Sequence, residues 1–406
     1  MKIGILGGGA AGFFAAIHCR LFNNDVEVTV IEKSQKTLSK VKISGGGRCN
    51  VTNIESDPIK LSTFYPRGEK LLAKAFREFN TKHTIQFFEE RGVALVSQSD
   101  GCVFPKSQDS QSIIDCFFSQ CKQLNIPIFL GVHANSISQD HTGKWIVASK
   151  EKSFVFDRLI ICVGGMTNVQ QMEWLKQLGQ PMIAPVPSLF TFNMPDEWIK
   201  ELMGVVAPNT ATRIPGLKFV GKGPLLITHW GMSGPAILML SAKAARELEE
   251  KKYNFSCLIS WLGIINEAEV LDIVNSKQIS HSRKKIGGSS FEGLPTRLWD
   301  YLLLKCNIDH EKPWSAINNK EKNKLVVVLT QDNYKVSGKT THKEEFVTAG
   351  GVDLKQVNFM TMESRVLPNL FFAGEVLDID GLTGGFNFQA AWTTAWLAAR
   401  GATASK

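Results

Sequence analysis

The chain opens on an apolar run, a cluster of glycines and a second apolar run. "KIGIL", residues 2–6, predicts a short buried strand, and "GGGAAG", residues 7–12, predicts a turn. "FFAAIHCRLF" then predicts an apolar helix, and "VEVTVI", residues 26–31, predicts a second strand that ends at Glu32. We interpret strand, glycine turn, helix and strand as a βαβ unit of the dinucleotide-binding type.

Helical spacing of apolar residues continues further along the chain. It predicts helices over residues 69–91, 110–124 and 235–251, and a final helix from Gly385 to Arg400. Strands are predicted at "WIVASK" and "FVFDRLIICVGG". Residues 276–290, "SKQISHSRKKIGGSS", are polar and glycine-containing, and we interpret them as a linker between helical segments.

The character of the pattern changes near Pro185, where short β-like runs replace the helical spacing, and β character resumes at about Phe346. We therefore predict one nucleotide-binding domain built from residues 1–187 and 346–406. Residues 188–345 are predicted to form a β-rich insertion that holds a helical subdomain at about residues 264–331.

Composition narrows the class of protein. The 406 residues are 44% hydrophobic and 21% charged, as expected of a soluble globular protein, and no apolar run is long enough for a membrane span. The eight cysteines form no C-x-x-C pair, so we expect reduced thiols, no metal site and a cytoplasmic location without a signal peptide. The net charge of +8 favours anionic partners.

The first glycine turn fits the dinucleotide fingerprint G-x-G-x-x-G. Gly7 would allow the tight turn, Gly9 the approach of a pyrophosphate, and Gly12 close packing of helix on strand. Glu32 lies where an acidic residue accepts hydrogen bonds from a ribose, and its charge would repel a 2′-phosphate. The helix N-terminus would face the negative charge of the ligand.

Two further glycine-rich segments point to the same ligand. In "FFAGEVLDIDGLTGGFNFQAAW", the pair Gly374-Glu375 follows a predicted strand, and Gly384-Gly385 opens the final helix. "SGGGRCNVTN", residues 44–53, places three glycines before an arginine and a cysteine, a loop without side chains that suits a flat ligand.

With "CVFPKSQ" and "THWGMSGPAIL", these motifs make the chain resemble the BaiN/YhiN-type bacterial FAD-dependent oxidoreductases, or aminoacetone-oxidase-like flavoproteins, over essentially its whole length. The resemblance implies FAD bound to a three-layer, Rossmann-like α/β domain, with an insertion that combines a β-barrel-like sheet and a helical piece. It implies the following cofactor-binding residues: Gly7, Gly9, Ala11, Gly12, Glu32, Lys33, Gly46, Gly47, Arg48, Cys49, Asn50, Val132, Gly164, Gly165, Gly374, Glu375, Gly385, Phe386 and Asn387. Gln180 departs from the family, in which histidine is common.

Candidate catalytic residues are fewer, because the flavin itself performs the hydride chemistry. Arg48 could stabilise anionic reduced flavin or hold a carboxylate or carbonyl group of the substrate, and Cys49 either reacts as a thiol or packs in a tight loop. His229 and Tyr65 are further candidate proton donors. The basic run at residues 283–285 is interpreted as a solvated linker.

Three functions remain open at this stage. The first is an oxidoreductase that passes hydride from NADH or NADPH through non-covalent FAD to a small acceptor such as a conjugated ketone or quinone. The second is an oxidase of a small amine or aminoketone that uses oxygen. The third is an FAD-containing RNA-associated protein, prompted by the net charge of +8, although the sequence contains no recognisable nucleic-acid module.

Overall fold

The chain forms two units. A computed structural model describes residues 1–340 and 347–404. The first unit consists of Met1–Pro187 together with the chain from Val347 onward, and the second begins at Ser188. The predicted boundary between residues 345 and 346 lies outside the described residues. No helix within the described ranges is both long and apolar enough to cross a membrane.

The first unit is a mixture of short strands and helices from both parts of the chain. Its first part contains β1 (Lys2–Leu6), α1 (Ala10–Phe22), β2 (Glu27–Ile31), α2 (Ser39–Ile43), β3 (Thr52–Asn53), α3 (Pro58–Ser62), α4 (Glu69–Glu78), α5 (Thr81–Glu89), β4 (Leu95–Ser97), β5 (Cys102–Pro105), α6 (Gln111–Gln123), β6 (Ile128–Phe129), β7 (Ser136–Gln139), β8 (Trp145–Ala148), β9 (Ser153–Phe156), β10 (Arg158–Ile161), α7 (Glu173–Gln177) and β11 (Met182–Ser188).

The second unit is a β-sheet with helices. It contains β12 (Thr191–Asn193), β13 (Val206–Arg213), β14 (Val220–Ile227), β15 (Gly231–Ser233), α8 (Pro235–Lys243), α9 (Ala245–Glu250), β16 (Asn254–Ser260), α10 (Glu267–Ser280), α11 (Thr296–Cys306), α12 (Asn319–Gln331), β17 (Asp332–Ser337) and β18 (Lys339–Thr340). The first unit then resumes with β19 (Val347–Val352), β20 (Val357–Asn358), β21 (Glu363–Ser364), β22 (Leu370–Phe372) and α13 (Phe386–Thr403).

A parallel sheet is the centre of the first unit. Its strands run in the order β22-β10-β1-β2-β6, all parallel, and β21 and β20 extend one edge antiparallel. Helices α1 and α13 pack together on this sheet. A second, antiparallel sheet of β7, β8 and β9 contacts β1 at Gly4, where a Cβ would lie 2.5 Å from the Phe156 ring. The predicted three-layer Rossmann-like fold is confirmed.

Three predicted elements are each divided in two. The helix predicted over residues 69–91 breaks at Asn80, whose side chain accepts from the Lys82 amide and starts α5. "FVFDRLIICVGG" forms two strands that belong to different sheets, because the Asp157 amide bonds to the Lys2 carbonyl (2.9 Å) as the chain changes sheet. The helix predicted over residues 235–251 is interrupted at Ala244.

The second unit contains a seven-stranded antiparallel sheet in the order β17-β16-β13-β14-β15-β12-β18. Its two edge strands are joined by Gly338, which accepts from the Asn193 amide (3.1 Å) and donates to the Tyr253 carbonyl (2.8 Å), so the sheet curls into a barrel-like form. Helices α10, α11 and α12 complete the unit around buried Trp299 and Trp314. Part of the predicted linker is helical, because α10 continues to Ser280.

Candidate functional site

The parallel strands end at one edge of the central sheet, and the glycine motifs follow those ends. Gly7 comes directly after β1, Glu32 after β2, and the pair Gly164-Gly165 after β10. Gly374 follows β22, which is parallel to β10. Ligands of open α/β sheets bind outside the carboxyl ends of the strands, so the fold places the candidate residues where a ligand is expected.

The turn between β1 and α1 contains glycines with different surroundings. A Cβ on Gly12 would lie 1.9 Å from the Gly7 carbonyl oxygen, so α1 can pack this closely only with glycine there. A Cβ on Gly9 would meet no atom of residues 1–340 or 347–404 within 4 Å. No side chain of the described residues caps α1, and its first turn contains no acidic residue, so its positive end can receive an anion near Ala11.

Glu32 already holds the glycine turn in place. Its carboxylate oxygens accept from the Gly8 amide (2.7 Å) and the Ser34 amide (2.8 Å). A carboxylate has about four acceptor positions, so Glu32 retains capacity for a ribose hydroxyl. Lys33 next to it is exposed. The Val132 amide donates to the Glu32 carbonyl oxygen (2.9 Å), which leaves the Val132 carbonyl group as the backbone group that could meet an adenine.

The second glycine turn lies against an ion pair. A Cβ on Gly165 would lie 2.6 Å from the Glu375 carboxylate, whereas a Cβ on Gly164 would meet nothing within 4 Å. Glu375 accepts from the Lys40 ammonium group (2.6 Å) and from the Thr348 amide (3.2 Å). Four segments that are distant in sequence therefore meet at this turn.

The triple-glycine loop is folded tightly on itself. Gly46 and Gly47 have φ values of 69° and 86°, and a Cβ on either would meet nothing within 4 Å. The Gly47 amide donates to carbonyls at the end of α2, and the Gly47 carbonyl accepts from the Ser110 amide (2.9 Å). Arg48 donates to the Gly45 carbonyl (3.1 Å), and its guanidinium carbon lies 4.4 Å from the centre of the Phe104 ring.

Cys49 is fully buried and has a φ of 62°, a left-handed conformation that is uncommon outside glycine. Burial raises the pKa of its thiol to about 12, although a hydrogen bond with Ser44 opposes the shift. The thiol is therefore protonated at neutral pH and is a poor nucleophile. Packing, the second of the two interpretations of Cys49, accounts for these observations.

Asn50 and Asn53 join this loop to the start of α13. With the Asn50 amide oriented so that its nitrogen donates to the Val103 and Thr52 carbonyls (3.2 and 2.9 Å), its oxygen accepts from the Gly385 amide (3.1 Å). Asn53 donates to the Gly384 carbonyl oxygen (3.1 Å). Both side chains therefore fix the N-terminus of α13, and Asn50 contributes to the site by positioning that helix.

The first residues of α13 also have partners within the protein. Phe386 is buried and stacks on Phe64, with ring centroids 4.2 Å apart, and its carbonyl accepts from the Tyr65 hydroxyl (2.7 Å). This hydrogen bond supports the start of α13, burial raises the pKa of Tyr65 well above its usual range, and a role for Tyr65 as a proton donor stays a prediction. Asn387 binds both backbone groups of Gly381 (2.8 and 2.9 Å) and fixes the preceding loop.

The remaining candidates belong to both units. His229 is in the second unit, exposed, with its ring 4.4 Å from the Trp230 ring, and a catalytic role for it stays a prediction. Lys285, in the predicted solvated basic run, pairs with Glu311. Gln180 is only 1% exposed and accepts from the Ser364 hydroxyl (2.7 Å), so it belongs to the interior of the first unit.

Sequence reasoning missed three contributors to this edge of the sheet. Lys40 pairs with Glu375 across 335 positions, the Gly8 amide binds Glu32, and the Thr348 backbone binds Glu375. Lys40 and Thr348 lie outside the glycine motifs, and no local pattern in a single sequence links residues so far apart. Gly8 lies inside the first motif but at one of its variable positions.

The described residues fit a dinucleotide such as FAD. The β1–α1 turn and the Gly164 turn both offer space where a Cβ would meet nothing, and α1 presents an uncapped positive end. Glu32 and Glu375 supply acceptors at either side of that helix terminus, after β2 and β22. The fit extends along one sheet edge, as an elongated nucleotide requires.

Comparison with known proteins agrees with this geometry. The profile of a family described as "HI0933-like protein Rossmann domain" matches residues 1–401. A ribosomal RNA dihydrouridine synthase of Escherichia coli (strain K12) is 26% identical over 411 residues, which cover 99% of this chain and 98% of that protein. A 3-dehydro-bile acid delta(4,6)-reductase of Clostridium scindens (strain ATCC 35704 / DSM 5676 / VPI 13733 / 19) is 25% identical over 413 residues, which cover 99% and 98%. The crystal structure of a 3-ketosteroid-delta4-(5alpha)-dehydrogenase from Rhodococcus jostii RHA1 has a similar fold, with a TM-score of 0.52, 10% identity, and coverage of 100% of this chain and 97% of that one.

Proposed function

Because the chain belongs to the HI0933-like Rossmann-domain family, whose members are FAD-dependent oxidoreductases, we propose that it uses non-covalent FAD to saturate a carbon–carbon double bond conjugated with a carbonyl group. The observation that carries the proposal is the shared sheet edge, where the Gly9 and Gly164 turns, Glu32 and Glu375 lie together. NADH or NADPH is the proposed source of the hydride.

The names of the relatives support this choice of reaction. Dihydrouridine is uridine in which a ring double bond next to a carbonyl group has been saturated, and a delta(4,6)-reductase of a 3-dehydro bile acid acts on double bonds in line with a 3-oxo group. Both reactions add a hydride and a proton to an electron-poor double bond. An acceptor of that chemical class is therefore the first to test.

The protein's own residues would bind and orient the reactants. The amides at the start of α1 would hold the pyrophosphate, and Glu32 would accept from the adenosine ribose. FAD, when bound, supplies the hydride transfer that such a reduction needs. The N-terminus of α13, fixed by Asn50, would stabilise negative charge near it through the helix dipole. Arg48 would contribute a permanent positive charge from the triple-glycine loop.

The first experiment records the visible spectrum of the purified protein and then adds NADH and NADPH separately without oxygen. We expect a flavin spectrum and bleaching by one of the two nucleotides. A colourless protein that cannot be reconstituted with FAD would refute cofactor binding.

The second experiment offers the reduced protein a 4-en-3-one steroid and measures reoxidation of the flavin and a product heavier by two hydrogens. We expect both. If only oxygen reoxidises the flavin rapidly, and no saturated product forms from the steroid or from RNA, the oxidase hypothesis replaces the reductase hypothesis.

A base within RNA is a second candidate acceptor. The net charge of +8 favours a polyanion, and the Escherichia coli relative is named for ribosomal RNA. Ribosomal RNA transcribed in vitro would be incubated with the protein and NAD(P)H, digested to nucleosides and analysed by mass spectrometry. Uridine heavier by two hydrogens supports this acceptor, and its absence, together with reduction of the steroid, excludes it.

A further inference from the structure

The hydroxyl of Thr348 takes no part in the hydrogen bonds among the described residues. The residue is 1% exposed, and within the described residues its Oγ1 has no hydrogen-bond partner. Its backbone amide does have a partner, because it donates to the Glu375 carboxylate (3.2 Å). Buried polar groups nearly always have partners, because an unpaired one costs free energy. An orphan hydroxyl at this position therefore needs an explanation.

The hydroxyl faces the second glycine turn. A Cβ on Gly165 would lie 2.9 Å from Thr348 Oγ1 and 2.6 Å from Glu375 Oε1. The other oxygen of Glu375 accepts from the Lys40 ammonium group (2.6 Å). A hydroxyl, a carboxylate and an ammonium group thus gather beside a turn that has no side chain. This set can both donate to and accept from neighbouring hydroxyl groups, which is what a polyol requires.

The position of Glu375 relative to α1 indicates which part of the nucleotide would lie beside Thr348. A Cβ on Gly374 would lie 2.8 Å from the Ala11 Cβ, so the residue before Glu375 touches the first turn of α1. The pyrophosphate of FAD would bind at that turn, and the ribityl chain is the polyol attached to it. We propose that Thr348 is an FAD-binding residue. Its hydroxyl would form a hydrogen bond with a hydroxyl group of the ribityl chain, beside the Lys40–Glu375 ion pair.

This inference rests on the proposed function, because it requires that the protein bind FAD. The test measures the dissociation constant of FAD by flavin fluorescence and the melting temperature of the FAD-free protein. Thr348→Val keeps the shape of the side chain and removes only the hydroxyl. Thr348→Ser returns the hydroxyl and removes only a methyl group.

We expect Thr348→Val to raise the dissociation constant of FAD about three- to tenfold, which corresponds to the loss of one ordinary hydrogen bond. The melting temperature of the FAD-free protein should not fall. Thr348→Ser should restore most of the affinity. The matched control is Thr212→Val in the second unit, because Thr212 is also fully buried but its hydroxyl donates to the Ala236 carbonyl (3.2 Å). That variant should lower the melting temperature and leave the affinity for FAD unchanged.

ADP, which lacks the ribityl chain, separates the possible outcomes. We expect Thr348→Val to bind ADP as the unmodified protein does. Unchanged FAD affinity in Thr348→Val, equal weakening of FAD and ADP, or a lowered melting temperature with full FAD affinity would each overturn the inference. Failure of the unmodified protein to bind FAD would instead overturn the proposed function.

Discussion

Replacing Gly9 with alanine tests the cofactor turn, because the space around Gly9 differs from the space around Gly12. Gly9 has φ −93° and ψ −168°, an extended conformation that any residue adopts, and a Cβ there meets nothing within 4 Å. A Cβ on Gly12 lies 1.9 Å from the Gly7 carbonyl oxygen, a backbone atom that cannot move away. The two variants should therefore fail in different ways.

The magnitudes follow from these contacts. Gly9→Ala reduces the freedom of the unfolded chain, so the FAD-free protein should become more stable by about 0.4–1 kcal/mol. The added methyl group stands where the pyrophosphate approaches α1 and should remove at least one charged hydrogen bond, worth about 1.5–3 kcal/mol, or about 10- to 150-fold in affinity. Gly12→Ala should instead destabilise the FAD-free protein by about 3 kcal/mol or more.

The assay compares urea unfolding of the FAD-free proteins with fluorescence titration by FAD. We expect Gly9→Ala to be at least as stable as the unmodified protein and to bind FAD poorly. If Gly9→Ala binds FAD with unchanged affinity, the pyrophosphate does not lie over this turn, and our placement of the cofactor is wrong. Unchanged stability of Gly12→Ala would refute the packing argument.

Three further predictions concern other parts of the first unit. Burial raises the pKa of the Cys49 thiol to about 12, so Cys49→Ser should change the FAD affinity and the turnover rate by no more than about twofold. Alkylation of Cys49 should stay slow up to pH 9, and a rate of inactivation that rises near pH 8 would contradict this. Burial lowers the pKa of His18 from 6.5 to about 3, so the unfolded chain binds the proton first as pH falls below 6.5. The free energy of unfolding should therefore drop by about 2 kcal/mol between pH 7 and pH 5, and His18→Phe should remove that part of the pH dependence in urea unfolding. Lys40 is 58% exposed, so Lys40→Met should change the free energy of unfolding by less than about 1 kcal/mol while weakening FAD binding; equal losses in both measurements would make the Lys40–Glu375 ion pair structural.

The local pattern was sufficient for the elements that form the first motif. β1 is the strand Lys2–Leu6, as "KIGIL" predicts, and α13 starts next to Gly385. These elements are predicted correctly because apolar periodicity defines them and glycines mark their ends. The break at Asn80 was not predicted, because the apolar spacing continues on both sides of it and only the side-chain cap ends the pattern.

The contacts of the candidate side chains were harder to predict than the strands and helices that carry them. The placement of Asn50 and Asn387 beside the flavin and of Tyr65 as a proton donor stays a prediction, and the structure adds that their polar atoms bind the protein's own backbone. Such roles depend on where a side chain points, which neither spacing nor residue type determines. Thr348 is the opposite case: its sequence context is unremarkable, and only its burial beside Gly165 draws attention to it.

The hydrogen bonds that join residues 51–53 to residues 384–392 also determine when the first unit can be completed during synthesis. Asn53 bonds to Gly384, and the Trp392 indole to the Val51 carbonyl, across 331 and 341 positions. At the usual speed of ribosomes, about 5–20 residues per second, the early segment waits roughly 17–68 s for its partner to be synthesised. Because α13 packs on α1 in the folded protein, we expect that face of α1 to be uncovered during this interval. We therefore expect FAD to be captured only after translation of α13, and the early segment to be a place where chaperones bind.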